Sequence, residues 1–149
     1  MKKLILIASL MTLFYACTEE YHPRVYSSLF TVYSDPHKLY HWQPFYDKNT
    51  GALLYYYCEF PEPKLTLDII ESRSTEAYLY YPLESSNGTS VYTPLPFSDF
   101  IVDKDGYKWE EQMTVAYDPG YITFILKVDD HANVLPSFDR YDFLVKFSW

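Results

Sequence analysis

Two pairs of adjacent acidic residues in the later part of the sequence are candidates for acid–base chemistry. Glu110 and Glu111 are adjacent, and so are Asp129 and Asp130. Neighbouring residues of a strand point to opposite faces of a sheet, so neither pair forms a cooperating acid and base by itself. Glycoside hydrolysis needs two carboxylates about 5–9.5 Å apart across a cleft. We therefore expect no enzyme activity; the enzymatic alternative pairs Glu110 or Glu111 with an aspartate of the late loop.

Two other groups of residues have spacings that could suit a metal ion. His37 and His41 are four residues apart, which on a helix would place two ligands on one face. Prolines on both sides of this segment favour a loop instead. Asp103 and Asp105 precede a glycine as in a calcium loop, although the first and twelfth EF-hand positions are not acidic. We expect a hairpin turn there, with a loose calcium site as the alternative, and no metal or other cofactor.

Aromatic residues are unusually frequent, with 17 Tyr, 10 Phe and 3 Trp in 149 residues. Aromatic side chains favour strands and fill cores, but consecutive or alternating tyrosines must also place some rings outward. Such rings can stack on sugars or anchor a protein partner. Core packing and a binding surface therefore both remain open. The candidate binding residues are Tyr40, Trp42, Tyr56, Tyr78 and Tyr80.

The N-terminus has the organisation of an export signal. Met1-Lys2-Lys3 is a short basic start, and residues 4–16 form an almost uninterrupted apolar run. A membrane-spanning helix needs roughly 20 apolar residues, which is longer than this run. The pattern predicts a cleavable signal over residues 1–16 rather than a transmembrane helix.

Leu13-Phe14-Tyr15-Ala16-Cys17 follows and resembles the lipobox of bacterial lipoproteins, although Phe14 and Tyr15 are unusual at their positions. The resemblance implies that Cys17 is lipidated and becomes the first residue of the mature chain. An ordinary signal peptide is the alternative, but Tyr15 is bulky where its cleavage site would require a small residue. Two or three acyl chains anchor a protein stably. We expect membrane attachment through Cys17, with residues 17–24 as lipidated cysteine and tether.

Glu19 and Glu20, directly after this cysteine, resemble the surface-export signal of Bacteroidetes lipoproteins; a solvated tether is the alternative. We expect an outer-membrane lipoprotein, at the cell surface or on the periplasmic face. Cleavage would leave 133 residues, and because the signal holds two of the 12 basic and none of the 20 acidic residues, the net charge would be −10. That charge argues against a nucleic-acid partner. If Cys17 carries the lipid, Cys58 is the remaining thiol and has no partner for an internal disulfide, so we expect it to be a buried small side chain.

Alternation of apolar and polar residues predicts β structure almost throughout the mature chain. Asn87-Gly88 and Asp105-Gly106 suit hairpin turns. Seven to nine short strands predict a single all-β domain over residues 25–149, an antiparallel β-sandwich of immunoglobulin-like type. A closed β-barrel is the alternative. The predicted strands lie at 25–33, around Trp42, and at 53–60, 65–69, 77–83, 89–93, 107–117, 121–128 and 141–149.

Short motifs within residues 42–149 resemble those of small surface lipoproteins from gut Bacteroidetes. They are the final strand-like segment Arg140-Tyr141-Asp142-Phe143-Leu144-Val145-Lys146-Phe147, and Leu95-Pro96-Phe97 following a strand like residues 77–81. The resemblance implies one β-sandwich domain of uncharacterised function and implies no active site. The expected function is a non-enzymatic, lipid-anchored envelope protein with a binding or structural role, whose partner is a glycan or an envelope protein. Carbohydrate binding in a nutrient-capture system is the more specific alternative.

Overall fold

A computed structural model describes residues 24–72, 74–82, 90–102, 105–129, 136 and 138–149. No helix within these ranges is long and apolar enough to cross a membrane. The residues predicted as signal and tether before Arg24 lie outside them, as does the predicted Asn87-Gly88 turn. The described elements are β1 (Val25–Tyr33), β2 (Gln43–Tyr46), β3 (Leu53–Pro61), α1 (Leu67–Glu71), β4 (Thr75–Pro82), β5 (Ser90–Pro94), β6 (Phe97–Val102), β7 (Lys108–Asp118), β8 (Tyr121–Val128) and β9 (Arg140–Ser148).

The strands form two antiparallel sheets. The first sheet has the order β1-β9-β4-β5, and the second has the order β2-β3-β8-β7-β6. Neither sheet closes on itself among the described strands, so the β-sandwich is confirmed and the barrel alternative is not adopted. The first and last strands are neighbours here, whereas constant-type immunoglobulin domains place them in opposite sheets. The likeness to immunoglobulin domains therefore lies in the two-layer architecture rather than in the connectivity.

The core lies between the inward faces of the two sheets. Phe124 of β8 stacks on Phe143 of β9 with ring centroids 4.0 Å apart and planes 13° apart, which joins the two layers at their centres. Phe30 and Phe60 contact the Phe124 ring from the side. The inward positions of β8 and β9 are almost completely buried, as their alternating sequences predicted. Burial of these apolar rings is the main stabilising contribution of the fold.

Residues 65–69 were expected to be a strand, and that prediction is wrong because α1 begins in this segment. Thr66 caps the helix: its side chain accepts a hydrogen bond from the backbone N–H of Ile69 at 3.5 Å. Asp68 in the first turn interacts favourably with the helix dipole. Leu65 and Ile69 are both buried, whereas Leu67 between them is exposed. The apolar spacing that matters here is therefore four residues, not two.

The two ends of the described domain lie side by side. Arg24 and Trp149 exchange two backbone hydrogen bonds, of 3.0 and 3.1 Å. Ser148 N also bonds to the carbonyl of Ser74, just after α1, so α1 lies at the same end of the sandwich. The loop of residues 34–42 and the start of β9 lie at the opposite end, where Ser34 N bonds to Asp139 O. The chain before Arg24 therefore leaves the domain at the end that holds α1.

Candidate functional site

The alternation of strand β4 places tyrosines on the outer face of the first sheet. Ala77 and Leu79 point inward and are buried in the core. Tyr78 and Tyr80 point to the other side and are partly exposed. Because side chains of a strand alternate between its two faces, the small and aliphatic residues of β4 enter the core and its tyrosine rings face solvent.

A third ring, from the neighbouring edge strand β5, completes this cluster. Tyr92 lies opposite Tyr80 in the β4–β5 register, and Tyr92 is 49% exposed. Its ring centroid is 5.2 Å from that of Tyr80, with planes 42° apart, and 6.5 Å from that of Tyr78, with planes 85° apart. We call these three residues the tyrosine face. Because the rings are tilted relative to one another, they form a small uneven surface rather than a flat platform.

Charged side chains hold the Tyr78 end of the tyrosine face in place. The Tyr78 hydroxyl donates a 2.8 Å hydrogen bond to Oε2 of Glu76. This bond to a carboxylate raises the pKa of Tyr78 above its ordinary value. The Lys146 ammonium lies 5.2 Å from the centre of the Tyr78 ring, within the range of a cation–π contact.

Beside Tyr80, the adjacent strand β9 contributes Asp142, which lies opposite Tyr80 in the β4–β9 register. Asp142 forms a 2.6 Å ion pair with Arg140 and accepts a 2.6 Å hydrogen bond from the Thr31 hydroxyl. The tyrosine face is therefore bordered by ordered polar groups. Aromatic rings surrounded by hydroxyl, carboxylate and ammonium groups can stack on an apolar surface and hydrogen-bond around it.

The other candidate residues do not join this cluster. Trp42 is 5% exposed and packs edge-on against Tyr141 at a centroid distance of 5.5 Å; its Nε1 is buried without a hydrogen-bond partner among the described residues. Tyr56 is 8% exposed and points into the core. Tyr40 is half-buried and stacks on Phe60 at 4.2 Å. Trp42 and Tyr56 therefore pack in the core, which corrects their expected place on the surface. Tyr40 packs against the core but is partly exposed, so its expected place at the surface stays a prediction.

The outward rings of strand β3 are Tyr55 and Tyr57, which the sequence analysis did not select. Tyr55 stacks on Phe45 of β2, with centroids 4.9 Å apart and planes 11° apart. Tyr55 also borders a groove of about 380 Å³ that includes Gln112 and Lys127. The signal was present in the sequence, because Cys58 was expected to be buried and β alternation then sends Tyr57 and Tyr55 outward.

Strand β7 contains a carboxylate, Glu111, whose complete burial was not predicted from the sequence. Glu111 has no exposed surface. Its Oε2 accepts a 3.2 Å hydrogen bond from the Tyr141 hydroxyl, and its Oε1 accepts a 3.4 Å hydrogen bond from Nε1 of Trp109. The alternation of β7 contained the signal, since Trp109 and Met113, two residues to either side, face inward. Buried carboxylates need such donors because desolvation of an unpaired charge is costly.

Of the two adjacent acidic pairs, Glu110-Glu111 lies in strand β7 and Asp129 directly follows strand β8. Glu110 is partly exposed on the opposite face of β7 from Glu111, as strand alternation requires. Asp130 lies outside the described residues, and Asp129 N bonds to the carbonyl of Glu110. The Glu111 side chain itself is fully buried. The pairing of Glu110 or Glu111 with a late-loop aspartate stays a prediction.

The residues considered for a metal site are separated. His41 lies in the loop before β2, where its Nδ1 is 2.8 Å from the carbonyl oxygen of Lys38. The amide of His37 donates to Asp35 instead. In the part of the chain that the structure describes, no three His, Cys, Asp or Glu side chains converge on one point. Asp103 of the possible calcium site lies outside that part.

The second cysteine is buried, as expected. Cys58 is 2% exposed on the inward face of β3, and burial raises its pKa to about 12. At neutral pH it is therefore a thiol rather than the reactive thiolate. Cys17, the expected lipidation site, lies outside the described residues.

Comparison of the chain with protein-family models, with curated proteins and with solved structures found no match.

Proposed function

We propose that this chain is a lipid-anchored, non-enzymatic binding protein of a bacterial outer membrane, and that the tyrosine face is its contact surface. One observation carries the proposal. A single strand, β4, fills the core with Ala77 and Leu79 while turning Tyr78 and Tyr80 outward beside the exposed Tyr92. Tyrosine is enriched at binding surfaces because its ring is rigid and apolar and its hydroxyl hydrogen-bonds.

The short tether constrains where such a surface could lie. Seven residue steps separate Cys17 from Arg24, and at about 3.5 Å each they span at most about 25 Å. A lipid on Cys17 would therefore keep the α1 end of the sandwich close to the bilayer. The tyrosine face lies on the side of the sandwich, away from the strand ends where the tether leaves.

Carbohydrate is the more specific ligand class for this surface, as part of a nutrient-capture system. The support is the combination at one place of clustered, partly exposed aromatic rings with the polar groups of Glu76 and Lys146. Sugars present both apolar ring faces and hydroxyl groups, and this combination satisfies both. A protein of the envelope is the other partner that such rings suit.

A glycan-array screen of residues 18–149 tests the ligand class. We expect binding to one glycan class, and we expect Tyr92→Ala to reduce this binding at least tenfold, because Tyr92 is the most exposed of the three rings. Tyr121→Ala is the matched control, since Tyr121 is similarly exposed, at 47%, on the other sheet. Equal loss in both variants would contradict a role for the tyrosine face.

If the folded protein binds no glycan on the array, the partner to test next is a protein of the envelope. A photo-crosslinking amino acid at position 92 should then capture an envelope protein from live cells, and the same group at position 121 should not. Capture at neither position would refute binding through the tyrosine face.

The anchor is tested separately by Cys17→Ala in the full chain. We expect the variant to leave the membrane fraction, because acyl chains supply the attachment. Retention of the variant in the membrane fraction would refute the lipid anchor.

A further inference from the structure

The described strands leave four edges in the two sheets, and three of these edge strands carry features that block pairing with another chain. Strand β2 has only four residues and contains Pro44, and strand β5 has five residues and ends at Pro94. In strand β6, Oδ1 of Asp99 accepts the backbone N–H of Phe100 at 2.8 Å. Short length, proline and a charged side chain are the usual ways in which proteins protect an edge.

Strand β1, the fourth edge, has none of these features. It has nine residues, VYSSLFTVY, without a charge, a proline or a glycine. A long, uncharged edge strand of high β propensity is a ready template for a further strand. About a fifth of the residues in this chain (21%) are charged, and the chain is acidic overall. Because the nine residues of β1 carry no charge, this edge does not repel a second acidic protein.

The hydrogen-bonding pattern identifies the backbone groups that β1 leaves open. Arg24 exchanges two backbone bonds with Trp149, which extends the β9 pairing, whereas Tyr33 bonds on the other side to the loop of residues 34–42. In an antiparallel strand these directions alternate, so odd-numbered residues of β1 point their N–H and C=O groups away from β9. Apart from Tyr33, no described residue bonds to these groups. The open positions are Val25, Ser27, Leu29 and Thr31.

We propose that β1 pairs antiparallel with β1 of a second copy of this chain, which joins two four-stranded sheets into one continuous eight-stranded sheet. The register sets Ser28 opposite its own symmetry mate. Val25 then lies opposite Thr31 of the second copy, and Ser27 opposite Leu29. Each of the four pairs exchanges two backbone bonds, so the interface contains eight bonds and every open group is used.

Symmetry and charge favour a second copy over an unrelated peptide. The four open positions are evenly spaced about Ser28, so the segment is complementary to itself under a two-fold axis, the commonest symmetry of oligomers. Two copies that each carry a net negative charge repel one another, and the neutral edge is where this repulsion is least. Leu29, which is 69% exposed, would also gain a neighbouring strand. The tyrosine face lies on β4 and β5 at the far side of the sheet, so this proposal does not depend on it.

Sedimentation of residues 18–149, which retain every described strand, tests the proposal. We expect a concentration-dependent dimer. Ser27→Pro removes an open N–H without touching the β9 ladder, and the two bonds lost per dimer should weaken association about tenfold to a hundredfold. Leu29→Lys should do the same through like-charge repulsion. Phe100→Lys adds the same charge at a similarly exposed position, 71% exposed, on edge strand β6 of the other sheet and should leave the dimer unchanged.

Oxidative crosslinking tests the register. Ser28→Cys should form an intermolecular disulfide, because directly opposed Cα atoms of a non-hydrogen-bonded pair are about 4.5 Å apart. Ser27→Cys should not, since its symmetry mate is diagonal at about 7–8 Å. Folding of each variant is checked by circular dichroism. A monomer at all concentrations, or a dimer that Ser27→Pro and Leu29→Lys both leave intact, overturns the proposal, and crosslinking at 27 but not 28 overturns the register.

Discussion

The hydroxyl of Tyr141 is the group whose removal best tests the account of the buried carboxylate. Tyr141 is almost completely buried, and its hydroxyl donates to Glu111 at 3.2 Å while accepting the backbone N–H of Phe138 at 3.3 Å. Tyr141→Phe removes this oxygen but keeps the ring against Trp42. The variant therefore changes the polar contacts with little change in packing.

The expected cost follows from these two contacts. A hydrogen bond to a charged group contributes about 1.5–3 kcal/mol, and a buried group left without its partner costs about 1–3 kcal/mol. Both contacts of the Tyr141 hydroxyl are longer than the usual donor–acceptor distance, which favours the lower values. We expect the free energy of unfolding to fall by about 2 kcal/mol. For a domain of this size, that corresponds to a fall in Tm of about 5–8 °C.

Urea unfolding of residues 18–149, followed by circular dichroism, measures this change. The midpoint should shift and the slope should not, because the buried surface is the same. Tyr121→Phe, at an exposed tyrosine, is the control and should change the free energy of unfolding by less than about 0.5 kcal/mol. Combining Tyr141→Phe with Glu111→Gln should give a double-mutant coupling of about 1 kcal/mol. A Tyr141→Phe variant as stable as the wild type would refute the role of this hydroxyl in holding Glu111.

Two further predictions concern buried ionisable groups. Burial raises the pKa of Cys58 from 9.0 to about 12, so its thiolate fraction at pH 8 falls about a thousandfold. An aromatic disulfide reagent should therefore label Cys58 very slowly in the folded protein and rapidly in the urea-unfolded chain. Equal labelling rates would contradict this prediction. Burial also raises the pKa of Tyr117 to about 12, so between about pH 9 and 12 the unfolded chain loses protons before the folded one. The free energy of unfolding should therefore fall as the pH rises through this range, less steeply in Cys58→Ala, and a flat profile would refute the reasoning.

The position of a strand was predictable from the sequence where apolar and polar residues alternate regularly along it. Strands β8 and β9 alternate apolar and polar side chains, and their bounds and inward faces match the expectation within a residue. The segment around Leu67 has too few residues for its period to decide between helix and strand, and the cap at Thr66 decided it. Strand β6 was missed because Phe100 and Val102 face solvent and the segment lacks that alternation.

In the candidate site, too, the direction of a ring was predictable only where the neighbouring residues differ from it in type. Tyr78 and Tyr80 could be placed outward because Ala77 and Leu79 alternate with them in the sequence. Residues 55–57 are all tyrosines, so composition alone could not show which rings point inward, and Tyr56 was selected although it is buried. The inward direction of Trp42 depends on the loop of residues 34–42, whose path no local pattern determines.

Because Arg24 and Trp149 are paired, the two ends of the described domain are adjacent, and this determines how labels and rearrangements of the chain ends can be used. A tag or fluorophore added after Trp149 would start beside the point where the chain leaves toward Cys17, so it would report on the surroundings of the α1 end. Adjacent ends further allow them to be joined by a short linker and the chain to be reopened at an exposed turn such as residues 47–52. Such a permuted chain would have its N-terminus at the opposite end of the sandwich, and a lipid attached there, as the proposed anchor requires, would turn the domain over relative to the bilayer.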